Sequence, residues 1–178
     1  LTQTGRKFGA PQRIVESVVE INADRQQQMA QKIVAACGGS VKGKKIGVLG
    51  IAFKPQTDDV RDAPSLVILP LLQKAGAKIV AHDPIAQEQA EKILTGIQWE
   101  QDPYAVAKDA DVLVIITEWN EYRQLDLQKI AGDMKAKRLV DLRNIYKPSE
   151  VEAHGFHYVS IGRPEITAEA ASKKLRAV

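Results

Sequence analysis

The chain has 178 residues, 44% of them hydrophobic and 26% charged, with a net charge of +3, an ordinary balance for a globular protein able to bury a core and unlike a basic nucleic-acid arm. One cysteine, Cys37, excludes an internal disulfide framework and a cysteine-based metal cluster, and His82, His154 and His157 lack metal-ligand spacing. No apolar run approaches the ~20 residues of a membrane span and no signal peptide is visible, so a cytoplasmic protein with no membrane or nucleic-acid partner is expected.

The chain opens at Leu1 rather than Met, inside a helical pattern, which reads as a fragment. Residues 11–37 carry Ile14, Val18, Ile21, Met29, Ile33 and Cys37 at helical spacing, with a polar break from Asn22 to Gln28. Pro11 suits the first turn and Gly38-Gly39 the stop, so one long helix is expected. Its interrupted stripe suits packing against more than one neighbour, another subunit included. From Gly43 onward strands and helices alternate. Strands are expected at 45–52, 78–82, 97–100, 111–117, 138–142 and 157–161, and helices at 63–74, 87–94, 103–107, 125–134 and 149–153. The run DVLVIIT at 111–117 has no polar face and marks a strand buried on both sides. This alternation predicts an α/β fold, a Rossmann-like doubly wound parallel sheet of order 3-2-1-4-5-6 preceded by a long α-helix. The expected organisation is 1–40 for the helix, 41–163 for the sheet domain and 164–178 for a flexible tail.

Ligands of such sheets bind beyond the carboxyl ends of the strands, where the strand order reverses, here between the first strand and the fourth. The turn after the first strand reads G-x-A-x-x-P from Gly50 to Pro55 instead of the dinucleotide fingerprint G-x-G-x-x-G. Ala52 hinders close approach of a pyrophosphate and Pro55 lacks an N–H. Lys54 on this loop and Arg143 after the fifth strand lie at the same rim, two strand spacings or about 9.6 Å apart by strand geometry. They could converge on one diphosphate, or both could be surface residues with solvated heads. The stretch 57–62 reads as a polar turn with Asp62 as a helix N-cap, although a turn alone leaves Arg61 unexplained. Asp83 before Pro84 reads as a turn start and Trp119 with Asn120 as cleft lining or packing. Cys37, on the apolar stripe, reads as core rather than nucleophile.

With that loop in view the sequence resembles the UDP-glucose/GDP-mannose dehydrogenase family. The resemblance rests on residues 50–65 (GIAFKPQTDDVRDAPS), Glu20-Ile21-Asn22 with Gln26, Asp83-Pro84, 111–122 (DVLVIITEWNEY), Asp141-Leu142-Arg143-Asn144, Gly155-Phe156 and 160–163 (SIGR). Members oxidise C6 of a sugar nucleotide to a carboxylate in two steps with two NAD+, using an amino-terminal NAD domain, a long dimer helix and a carboxyl-terminal nucleotide domain. The resemblance implies that Phe53, Lys54 and Arg143 contact a UDP-sugar and that Arg61 reaches NAD held mainly by the amino-terminal domain. It also implies that residues 11–37 are the distal part of the dimer helix, so the expected partners are a UDP-sugar, the NAD domain and a second copy. The family's catalytic cysteine segment is absent from these 178 residues, so no catalytic residue is expected here and the chain alone is expected to be inactive. The wording of 57–64 is nearest the UDP-glucose branch; GDP-mannose and UDP-N-acetyl-hexosamine dehydrogenases share the scaffold, and a stand-alone nucleotide-binding or dimerisation module is the reading from another class.

Overall fold

A computed structural model describes residues 2–167. Two amino-terminal helices, α1 (Thr2–Lys7) and α2 (Arg13–Ala36), precede six strands: β1 (Lys45–Leu49), β2 (Lys78–His82), β3 (Ile97–Trp99), β4 (Val112–Ile115), β5 (Arg138–Asp141) and β6 (His157–Ser160). The connections carry α3 (Ser65–Lys74), α4 (Gln87–Glu91), α5 (Pro103–Ala107), a 3-10 turn at Asn120–Gln124, α6 (Leu127–Asp133) and α7 (Pro148–Ala153). All strand pairs are parallel and the order is β3-β2-β1-β4-β5-β6, as the sequence pattern predicted. Helices α2 and α3 pack together, α3 against β2 and α2 against β5, while α5 packs on β1, β2, β4 and α6. Every residue of β4 is buried, which is what its unbroken apolar run requires.

Two strands stop earlier than the apolar runs suggested. β1 ends at Leu49 because Gly50 turns away with φ +88°, a conformation that favours glycine, and a Cβ there would lie 2.5 Å from Thr117 Cβ. β4 ends at Ile115, and Thr117 beyond it donates its hydroxyl to the Ala52 carbonyl at 2.6 Å. The expected N-cap of α3 is also corrected. Asp62 adopts φ +57°, the residue preceding the helix is Pro64, and no side chain caps it. At the other end of the sheet Ile166 pairs with Tyr158 in an antiparallel bridge, so residues 164–167 include a paired position; the rest of the expected tail, 168–178, lies outside the described residues.

Helix α2 is about 36 Å long by helical rise, and it leads two lives. Ile33 and Cys37 are buried, whereas Ile14, Val18 and Ile21 on the same sequence stripe are exposed, Ile14 by 82%. The carboxyl-terminal half belongs to the domain core and the amino-terminal half stands clear of it. Truncating the two ends of the stripe should separate these roles in urea unfolding. Ile33→Ala is expected to cost about 2–5 kcal/mol through lost burial and a cavity, and Ile14→Ala within about 0.5 kcal/mol of nothing.

Candidate functional site

The rim formed by the carboxyl ends of β1, β2, β4 and β5 is assembled around two buried carboxylates. Asp83, just past β2, accepts at Oδ2 from the backbone N–H of Ile51 (2.6 Å) and Ala52 (2.9 Å) and from Trp119 Nε1 (3.2 Å). Its Oδ1 accepts from the N–H of Ala86 (2.8 Å) and Ile85 (3.1 Å). The Asx turn read from Asp83-Pro84 is present, but it is the smaller part of what this side chain does. Ser65 Oγ donates to the Ile51 carbonyl at 2.6 Å and completes the clamp on the turn after β1. Asp141, at the end of β5, accepts from Arg143 N (3.0 Å), Tyr146 N (3.1 Å) and the Tyr158 hydroxyl (2.9 Å). Asn144, at φ +56°, exchanges two 3.0 Å hydrogen bonds with the backbone of Ile161, joining the loops after β5 and β6.

Beyond the clamp, residues 53–59 form a loop closed by Phe53 N donating to the Asp59 carbonyl at 2.9 Å. It carries Phe53 and Lys54 outward, both exposed. Phe53 and Arg143 line one cleft of about 650 Å³, whose apolar floor includes Met29, Ile68, Ile116 and Leu142 and whose far wall is the Asn22, Arg25 and Gln26 face of α2. That size is typical of small-molecule sites. Lys54 is the neighbour of Phe53 but is not among the residues lining the cleft. Arg61 lies elsewhere, in a shallower depression of about 470 Å³ with Thr57, Asp59, Gln89, Lys92 and Ile93.

The cations of the rim differ in how they are held. Arg143 grips Glu118 through Nε and Nη2, the latter at 2.7 Å, leaving Nη1 without an acceptor among the described residues. The same guanidinium holds the Glu118 carboxyl below its ordinary range, against the opposing effect of partial burial. Arg61 is gripped by Asp59 through Nε (3.0 Å) and Nη2 (2.8 Å), and this holds the Asp59 carboxyl down to about 2. Lys54 enters no hydrogen bond or ion pair among the described residues; its charge helps to hold Asp59 low. Neither expectation for Arg143, a diphosphate contact or a surface residue with a solvated head, included Glu118, which shares its guanidinium. Glu118 follows β4, next to β5 in the predicted strand order, and that adjacency was the available signal. The contribution of α2 to the cleft was not read, although Asn22 and Gln26 stand in one of the family motifs and in the polar break of the helix's stripe, because its packing against the sheet is non-local.

Trp119 is buried, with its indole N–H on Asp83, so it braces the rim. Cys37 is buried in the core and burial pushes its thiol up, as a structural cysteine requires. Among the described residues no group of histidine, cysteine or acidic side chains has the arrangement to hold a metal ion, and no helix is long and apolar enough to cross a membrane.

With this rim in view, comparison with known proteins is decisive. The UDP binding domain of the UDP-glucose/GDP-mannose dehydrogenase family matches residues 47–148, more than half of the chain. The chain belongs to this family. It is 48% identical over 165 residues to a UDP-glucose 6-dehydrogenase of Rhizobium meliloti, covering 93% of this chain and 38% of that protein. It is 39% identical over 175 residues to the UDP-glucose 6-dehydrogenase TuaD of Bacillus subtilis, covering 98% of this chain and 38% of that one. The chain thus spans well under half the length of these relatives. A UDP-glucose dehydrogenase structure from Pyrobaculum islandicum superposes with a TM-score of 0.73 at 29% identity, over 90% of this chain and 34% of that one.

As a family member the chain departs from a dinucleotide cradle in a specific way: the two N–H groups of the first turn, Ile51 and Ala52, are both taken by Asp83. The residues present do not fit NAD at that turn; Arg61, exposed and paired with Asp59, lies outside it in the neighbouring depression.

Two measurements check this account of the rim. Asp83→Ala orphans several buried N–H donors and should cost about 3–4 kcal/mol in urea unfolding, with Asp83→Asn losing less. The second concerns His82, whose Nδ1 lies 2.9 Å from Tyr122 Oη while the Tyr122 hydroxyl donates to the His82 carbonyl at 3.0 Å. Burial lowers the His82 imidazole below its usual range, although Glu121 and Asp83 oppose this. A depressed folded value means that the unfolded chain binds the proton more readily. Stability is then complete above about pH 6.5 and falls as the pH drops through the lower folded value. Thermal melts from pH 7 to 5 should show this fall, and His82→Gln should flatten it.

Proposed function

We propose that the chain is the nucleotide-holding, carboxyl-terminal portion of a UDP-glucose 6-dehydrogenase, the enzyme that converts UDP-glucose, two NAD+ and water to UDP-glucuronate and two NADH. The observation that carries this reading is the match of residues 47–148 to a UDP binding domain, since Phe53, Leu142 and Arg143 of the cleft lie within them. Phe53 and Arg143 would line the sugar-nucleotide site, with Lys54 reaching in from the exposed loop beside Phe53. A guanidinium already oriented by Glu118 meets an anion with little further ordering, which suits phosphate recognition.

NAD would supply the hydride acceptor and would be held mainly by residues outside this chain, with Arg61 contacting it from across the domain boundary. Asp59 fixes the Arg61 fork in place for such a contact. Cys37 is the chain's one cysteine and is buried, so a thiol nucleophile for the oxidation must come from outside these residues. The chain alone would then bind nucleotide and produce no NADH. The exposed Ile14, Val18 and Ile21 of α2 suit a homodimer contact, because an apolar stripe of that kind rarely stays in water. The aqueous cytoplasm, where NAD and UDP-glucose are both present, is the compartment this reading requires.

Calorimetric titration tests the nucleotide assignment. UDP should bind the chain and GDP should bind more weakly, with Lys54→Ala reducing UDP binding by about 1.5–3 kcal/mol; equal binding by the variant would remove Lys54 from the site. In the intact enzyme Arg61→Ala should raise KM for NAD more than KM for the sugar nucleotide, and the opposite pattern would put Arg61 on the wrong ligand.

A further inference from the structure

Resting on the nucleotide reading, we infer that α2 is a wall of the ligand site, with Arg25 contacting the diphosphate and the carboxamides of Asn22 and Gln26 reading the edge of the base. Val19, Asn22, Gln26 and Met29 recur at helical spacing, so they share one face of α2, and all four line the 650 Å³ cleft together with Arg25. The polar break in the helix's apolar stripe falls at this stretch. Asn22 and Arg25 are exposed and Gln26 half-buried, and all three border a cleft whose floor is apolar.

Charge points the same way. Two cations line the cleft, Arg25 and Arg143. Arg143 is shared with Glu118, whereas Arg25 enters no hydrogen bond or ion pair among the described residues. The acid in the lining, Asp62, is held at φ +57° in the turn before α3 and has no ion pair with Arg25. An unpaired guanidinium facing a second, pre-oriented guanidinium across an apolar-floored cleft favours an anion bearing more than one charge.

The remaining features suit a nucleobase. Phe53, half exposed, and the aliphatic floor offer a surface to a flat ring. A carboxamide presents a donor and an acceptor side by side, matching the adjacent carbonyl and N–H of a uracil edge. Site size then limits which base fits, since carboxamides pair with guanine through a similar edge. The α2 face would thus contribute to nucleotide choice as well as to affinity.

Calorimetry on the 178-residue chain separates this inference from the reading beneath it. Arg25 is exposed on a helix, so its replacement leaves the fold intact, which a thermal melt verifies. UDP affinity should fall about tenfold or more in Arg25→Ala and further in Arg25→Glu. The double variant Asn22→Ala, Gln26→Ala should narrow the preference for UDP over GDP. Unchanged UDP affinity in both Arg25 variants, with Lys54→Ala still weakened, overturns the α2 contribution and leaves the nucleotide reading standing. A parent chain that takes up no UDP overturns that reading, and the role of α2 with it.

Discussion

Five N–H groups from three stretches of chain converge on the carboxylate of Asp83: two from the turn after β1, two from the turn after β2 and the indole of Trp119. In a dinucleotide-binding sheet, the N–H groups of the first turn are what a pyrophosphate approaches. Here a built-in anion sits on them permanently. The turn no longer needs glycines that let a phosphate come close, which is why Ala52 and Pro55 are accommodated. With those N–H groups occupied, an anion at this rim would be met by side chains rather than by the backbone of the first turn.

That transfer changes what the rim needs. Backbone donors are fixed by the fold, whereas arginine and lysine side chains lose rotamer freedom when a ligand orders them. Two arginines avoid much of that loss. Glu118 orients Arg143 and Asp59 orients Arg61, each through two guanidinium nitrogens. Their carboxylate partners also neutralise these two guanidinium groups at rest, so an anion bound there would exchange one negative partner for another. Lys54 and Arg25 have no ion pair among the described residues, so their charge is not offset by a carboxylate partner. The long helix would link this chemistry to assembly, because its middle, from Asn22 to Met29, lines the cleft while Ile14, Val18 and Ile21 nearer its amino terminus form an exposed stripe suited to a second subunit.

Much of the fold was legible in the sequence because its signals are local. The apolar run of β4 declares a strand buried on both faces, and the glycines at 50 and 76 mark the ends of β1 and α3. Parallel order then follows from handedness. The errors arose where tertiary contacts overrode local preference. Asp62 has the side chain of an N-cap, but its left-handed backbone and the intervening Pro64 place it outside the helix start. Asp83 read as an ordinary turn because the three donors that matter most to it lie more than thirty residues away. The partnership of Arg143 with Glu118 spans 25 residues and becomes visible only when β4 and β5 are placed side by side. The family motifs named the residues of the rim without giving their partners.

A crystal structure of the chain with UDP tests the exchange of backbone for side-chain recognition most directly. The diphosphate should lie against the cations of the cleft rim, with Asp83 still holding the amides of Ile51 and Ala52. Phosphate oxygens bonded to those two amides, with the Asp83 carboxylate swung aside, would contradict it.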